Sequence, residues 1–172
     1  MTIMTIKKIK ISNFKSFRDL EIELGKFNVL IGANASGKSN FIQIFKFLKD
    51  ITNHGFDNAI SMQGGVEYLR NINIGSLENF LLEVVLDLKY WRLIGRTKEK
   101  GQLGMNVYEM IYKFDIKFRK PGRGFEIIED KITQKFDIVR LEVKKEKIEE
   151  REKIGQGEIA ISNVKGKIKL DS

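Results

Sequence analysis

Apolar and polar positions change period several times along this chain, and each change marks an expected element. Ile3, Ile6, Ile9 and Ile11 lie in a β-branched stretch, with clean alternation at Ile9 and Ile11, which predicts a first strand. Ser12–Phe17 interrupts it. Leu20, Ile22 and Leu24 then alternate with Glu21 and Glu23, the pattern of a half-buried second strand. After Gly25, Phe27–Ile31 is an unbroken apolar run, which predicts a short strand buried on both faces. Phe41, Ile44, Phe45 and Leu48 follow at i, i+3, i+4 and i+7, one face of an amphipathic helix that Asn53-His54-Gly55 ends. From Phe56 to Gly75 the periodicity is weak, with Gly64-Gly65 as a break and one helical turn around Val66–Arg70.

From Leu77 onward the pattern is β-rich. Phe80–Leu88, Val107–Phe118, Phe125–Ile128, Phe136–Val143, Glu158–Val164 and Lys167–Leu170 read as strands of an antiparallel meander, with Lys120–Gly124 as a turn. Arg140–Lys153 carries eleven charges in fourteen residues and fits either a long exposed hairpin or a charged helix. The expected organisation is a core over residues 1–55, a connecting segment over 56–76 and a β-rich subdomain of the same lobe over 77–172. The fold class is α/β, in the form of an α+β lobe.

Between the apolar run and the helix stands Gly32-Ala33-Asn34-Ala35-Ser36-Gly37-Lys38-Ser39, which satisfies G-x-x-x-x-G-K-[ST] at every required position. The chemistry explains the residue types. Glycines let the backbone curl so that N–H groups converge on an anion. A helix beginning near Gly37 adds the positive end of its dipole. Lys38 would bridge the β- and γ-phosphates, and the Ser39 hydroxyl would ligate Mg²⁺. The structural alternative is an ordinary strand–turn–helix with an exposed lysine. The sequence contains no Asn-Lys dipeptide and so lacks the Asn-Lys-x-Asp guanine reader of GTPases, which argues against GTP.

Composition narrows the remaining classes. With 172 residues, 42% hydrophobic and 31% charged, the chain can build one modest core. It contains no cysteine, which excludes disulfide scaffolds, cysteine–zinc sites and cysteine nucleophiles, and a single histidine, His54, which excludes multi-histidine metal sites. No apolar run approaches the ~20 residues of a membrane helix, and the basic residues follow the first apolar stretch rather than precede it, unlike a signal peptide. A cytoplasmic protein without a membrane partner is expected. The net charge of +8 is uneven: residues 89–124 hold ten basic groups against Glu99, Glu109 and Asp115. This stretch is either a nucleic-acid surface, with Lys113, Lys117 and Lys120 as candidate contacts, or a solvated hairpin face.

The run Ile9-Lys10-Ile11-Ser12-Asn13-Phe14-Lys15-Ser16-Phe17, a second strand, and then Asn28–Asn40 resembles the start of ABC-type ATPases of the SMC, RecF and OLD group. The likeness is close over residues 6 to 50. It is looser over the β-rich remainder, where Tyr112–Ile116 followed by Phe125–Ile132 is similar to the paired strands of OLD-like AAA-family proteins. The resemblance implies a P-loop NTPase fold of the ABC type, its N-terminal lobe combining a phosphate-loop strand and helix with a large antiparallel β-meander. It implies ATP and Mg²⁺ as cofactors, with nucleotide contacts at Gly32, Ala33, Asn34, Ala35, Ser36, Gly37, Lys38, Ser39, Asn40 and Lys15. It further implies a C-terminal lobe on the same or a companion chain, a homodimer in the complete protein, and DNA as partner in repair, recombination or defence against phage.

Hydrolysis in such enzymes also needs a strand ending in Asp-Glu and a Leu-Ser-Gly-Gly-Gln-like signature. Val84-Val85-Leu86-Asp87 has Leu88 where the glutamate belongs, and Ile127-Ile128-Glu129-Asp130 has its acids reversed. Ser61–Gly65 has the signature's residue types in the wrong order. Gln63 and Gln134 lack the context of a metal-contacting glutamine, and His54 precedes the position of a switch histidine. No catalytic residue is therefore assigned, and the chain reads as the N-terminal lobe of an ATPase. The alternatives are a non-hydrolysing module binding nucleotide and nucleic acid, and a small P-loop kinase.

Overall fold

A computed structural model describes residues 3–74, 78–96, 102–119, 124–144, 147–164 and 167–171. Two strands open the chain, β1 (Ile3–Phe14) and β2 (Phe17–Glu23), joined by the turn at Lys15-Ser16. Two helices follow, α1 (Lys38–His54) and α2 (Phe56–Met62), then a 3-10 turn at Val66–Tyr68. Five strands complete the order: β3 (Phe80–Arg96), β4 (Gln102–Phe118), β5 (Phe125–Lys144), β6 (Lys147–Val164) and β7 (Lys167–Asp171). The strands form one seven-stranded sheet in the order β2-β1-β3-β4-β5-β6-β7. The fold is mixed α/β, dominated by a large antiparallel sheet.

The chain divides into two compact units. The first comprises residues 1–8, 84–113 and 130–172. Its core is Leu88, Val107 and Phe136, with Met105, Met110, Ile138 and Ile159 packed against them. Here β5 and β6 pair antiparallel from Lys131↔Ser162 to Lys144↔Lys147, which makes the charged stretch 140–153 a hairpin and not a helix. Where Phe136 faces Gly157 in this ladder, the missing side chain leaves room for the ring, whose Cζ would lie 2.8 Å from a Cβ at residue 157. The segments Phe125–Ile128 and Phe136–Val143, expected as two strands, belong to one strand of 20 residues. The polar residues between them occupy a half-exposed ladder, so the sequence pattern fades where pairing continues.

The second unit comprises residues 9–83 and 114–129. Its core is aromatic. Phe14, Phe47, Phe80 and Phe114 are fully buried, and Phe47 lies 6.5, 6.1 and 6.3 Å from the other three ring centroids. Phe56 of α2 closes the cluster at 5.3 Å from Phe114. This contact set turns α1 slightly from the face expected of it. Its buried residues are Phe41, Ile44, Phe47 and Asp50, while Phe45 and Leu48 are half-buried. Gly55 ends the helix at φ +79°, its N–H donating to Ile51 O at 2.9 Å.

One expected element is absent. Phe27–Ile31 forms no strand and is exposed, with Phe27 at 84% and Ile31 at 89% of full accessibility. A strand buried on both faces needs paired neighbours along its edges, and the sheet described here ends at β2 without including this run. Asn28 instead closes a local turn, exchanging hydrogen bonds with the backbone of Gly25 at 2.9 Å each.

Candidate functional site

Residues 34–37 turn and bend into the start of α1. Ala35 and Gly37 take positive φ, 64° and 93°, and Ser36 N–H donates to Ala33 O at 3.3 Å. A side chain at Gly37 would be strained by its backbone and would meet Ser16 Oγ at 3.0 Å. A Cβ at Gly32 would lie 2.8 Å from Ser36 Oγ. Gly37 is thus the glycine whose backbone this turn requires, while a side chain at Gly32 would displace the Ser36 hydroxyl. Helix α1 starts with no side-chain cap and no acidic residue in its first turn. Its leading N–H groups and its positive dipole end are consequently left for an outside anion.

Lys38 reaches back into the loop, its Nζ donating to Gly32 O at 2.7 Å and Ala33 O at 2.6 Å, and lying 3.4 Å from Ser36 Oγ. Ser39 is exposed in the first turn beside it. Asn40 Nδ2 donates to Ser16 Oγ at 2.8 Å, which ties the helix start to the β1–β2 turn. Lys15 occupies that turn at φ +49°, its backbone N–H donating to Leu69 O at 2.7 Å. Its ammonium lies 5.7 Å from the Phe14 ring centroid, and burial pushes its pKa below the ordinary lysine value. Nine of the predicted contacts form the continuous run 32–40, and Lys15 joins them across the Ser16–Asn40 bond.

Two hollows flank this assembly. One of about 190 Å³ is lined by Phe17, Leu20, Ile22, Leu30, Ile31 and Phe41 together with Ser36, Gly37 and Lys38. The other, of about 460 Å³, is lined by Lys15, Asn40, Glu67, Tyr68, Arg70 and Ile72. Only the second falls within the ~300–1,000 Å³ usual for small-molecule sites. Part of its lining follows the Gly64-Gly65 break in sequence, where both glycines have positive φ and the Tyr68 ring lies over Gly64, 3.3 Å from where a Cβ would be. Arg70 pairs with Glu67 and sits 6.0 Å from the Phe118 ring centroid. Tyr68 and Ile72 are exposed. Sequence reading missed these four residues, because an isolated exposed tyrosine or isoleucine after a glycine pair carries no periodic signal.

The other candidates lie apart from the loop along the chain. Val84–Asp87 is interior to β3, and Ile127–Asp130 is interior to β5. Asp130 accepts a hydrogen bond from Tyr112; burial, together with this bond and the carboxylate charge, pushes the tyrosine pKa up. Gln63 caps α2 through its backbone N–H, Gln134 lies on β5 opposite Ile159, and His54 ends α1 exposed. Among the described residues no group of three or more His, Cys, Asp or Glu could hold a metal ion. Lys113 and Lys117 share one face of β4 with Asp115 between them, opposite buried Phe114, Ile116 and Phe118. Arg119 faces Glu126 at 3.8 Å, and Lys120 lies outside the described residues. No described helix is long and apolar enough to cross a membrane.

Residues 4–169 match the family described as AAA ATPase domain. The chain is 40% identical over 47 residues to the chromosome partition protein Smc of Methanocaldococcus jannaschii, covering 27% of this chain and 4% of that protein. It is 38% identical over 58 residues to the endonuclease GajA of Bacillus cereus, covering 33% of this chain and 10% of that protein. It is 38% identical over 52 residues to the DNA replication and repair protein RecF of Pediococcus pentosaceus, covering 30% of this chain and 14% of that protein. The matched stretches thus span a small part of each of these relatives. No solved structure matches the chain.

Proposed function

The chain belongs to the AAA ATPase domain family, and on that premise we propose that it binds MgATP through residues 32–40 and Lys15, as part of an ATPase of the SMC, RecF and OLD type. The observation that carries this reading is the Lys38 ammonium held on the carbonyls of Gly32 and Ala33 at the mouth of an uncapped helix. An anion entering there meets the helix N–H groups and a lysine that has only to exchange carbonyl oxygens for phosphate oxygens. The fit of the group is supported by Gly37, whose positive φ bends the loop into the uncapped helix start. Ser39 supplies one hydroxyl to Mg²⁺, a cation that takes few protein ligands and completes its shell from phosphate and water. When bound, Mg²⁺ neutralises charge on the β- and γ-phosphates.

The nucleoside end fits the 460 Å³ hollow. Lys15 and Asn40 stand on its phosphate side, Tyr68 offers a ring face, and Ile72 an apolar surface. A second lobe, on the same or a companion chain, covers Phe27–Ile31 and completes the sheet there. That lobe supplies the general base and the signature element, so the present chain alone binds nucleotide with negligible turnover. Work on DNA is inferred from the names of the Smc and RecF relatives, which speak of chromosome partition and of DNA replication and repair.

Lys38→Ala tests the reading. Hydrogen bonds to charged groups are worth about 1.5–3 kcal/mol each, so the variant is expected to bind MgATP at least tenfold more weakly, measured by competition with a fluorescent nucleotide. Equal affinity of Lys38→Ala and the parent chain would overturn the assignment.

A further inference from the structure

We propose that Asn13 is a positioning residue that holds the nucleoside wall of the site against the phosphate wall; this rests on the nucleotide reading given above. Asn13 is polar and completely buried. Its Oδ1 accepts from Asn71 N–H at 2.8 Å, and its Nδ2 donates to Glu78 O at 2.7 Å. Two residues further on, Lys15 N–H donates to Leu69 O at 2.7 Å. Asn71 passes the tie along, its own Oδ1 accepting from Asn73 N–H at 2.9 Å. The segment that presents Tyr68, Arg70 and Ile72 therefore hangs on the turn that presents Lys15, and all four residues line one hollow.

The residue type is dictated twice. The backbone at position 13 has φ +53°, a left-handed conformation that asparagine tolerates better than other residues with side chains. The bridge needs one acceptor and one donor on a short planar side chain, which is what the amide supplies. Aspartate would keep the acceptor for Asn71 N–H and lose the donor for Glu78 O. Glycine would keep the backbone conformation and lose both bonds. The Asn71 N–H is buried and costly to leave without a partner, so the 69–73 segment would leave the turn to find water.

The test compares two ligands on the full chain: MgATP, which needs both walls, and magnesium tripolyphosphate, which needs the loop alone. Asn13→Gly is expected to weaken MgATP binding about tenfold or more while tripolyphosphate affinity stays within about twofold, and Asn13→Asp should weaken MgATP at least as much, because its buried carboxylate would face the Glu78 carbonyl oxygen. Lys38→Ala should lose both ligands. Equal losses for ATP and tripolyphosphate in both Asn13 variants, or no loss for either ligand, would overturn the positioning role. A parent chain that binds tripolyphosphate and ATP equally well would also overturn it, since no nucleoside wall would then contribute. A parent chain that binds neither ligand removes the nucleotide reading itself, and the inference with it.

Discussion

Lys15 and Lys38 carry the same formal charge but stand in different surroundings. Lys38 has two carbonyl oxygens and a hydroxyl within reach. Lys15 is half-buried beside Phe14, and desolvation lowers its pKa from the ordinary 10.5. A lysine whose folded pKa is depressed binds fewer protons folded than unfolded. Its contribution therefore makes the unliganded chain more stable as pH rises through the window just below 10.5. A phosphate arriving beside it reverses the shift, so MgATP binding in that window should take up protons. Calorimetry in two buffers of different ionisation enthalpy measures this, with Lys15→Met as the reference. Identical proton uptake by parent and variant would remove Lys15 from the phosphate side of the site.

At the scale of elements, the junction between loop and helix is the most constrained. Gly37→Ala forces a side chain into φ +93° and toward Ser16 Oγ, at a cost of about 1–2 kcal/mol. A melting temperature lower by a few degrees is expected, together with loss of MgATP binding. Gly55→Ala, at φ +79° in open space at the far end of α1, should lower the melting temperature while leaving binding intact. Equal binding by the two variants would show that loop closure at Gly37 is not what prepares the anion site. Helix α1 itself was legible in advance from its apolar spacing and its terminal glycine. Which of its phenylalanines would be fully buried was not. Phe47 takes that place because rings from β1, β3 and β4 converge on it, and none is near it in sequence. In the β-rich half, strand identity was readable wherever apolar residues alternate, whereas the continuity of β5 became visible only in the folded sheet, where it lies between β4 and β6.

For the whole molecule, the decisive feature is the exposed apolar run. Phe27, Val29, Leu30 and Ile31 all stand open, and exposed apolar runs promote association. The chain is expected to self-associate in solution, and Ile31→Lys combined with Val29→Lys should shift it toward monomer without lowering its melting temperature, since neither side chain is in the core. Light scattering with thermal melts measures both. A monodisperse parent monomer would argue against a docking role for this run, as would a double variant that melts earlier.

What the sequence determined by itself is local: the strand pair of the first residues, the glycine loop, the helix behind it, and the lysine and serine placed at their junction. Those features depend on periods of two and 3.6 residues and on glycines where the backbone needs positive φ, all settled within one or two turns of chain. Only the tertiary structure decided that Phe27–Ile31 is uncovered, that Tyr68, Arg70 and Ile72 share a hollow with Lys15, and that Asn13 joins the segments that carry them. The Asn13 bonds span 58 and 65 residues of chain. A polar residue inside a strand-like pattern shows no trace of partners that far away, because its value comes from burial that distant segments create.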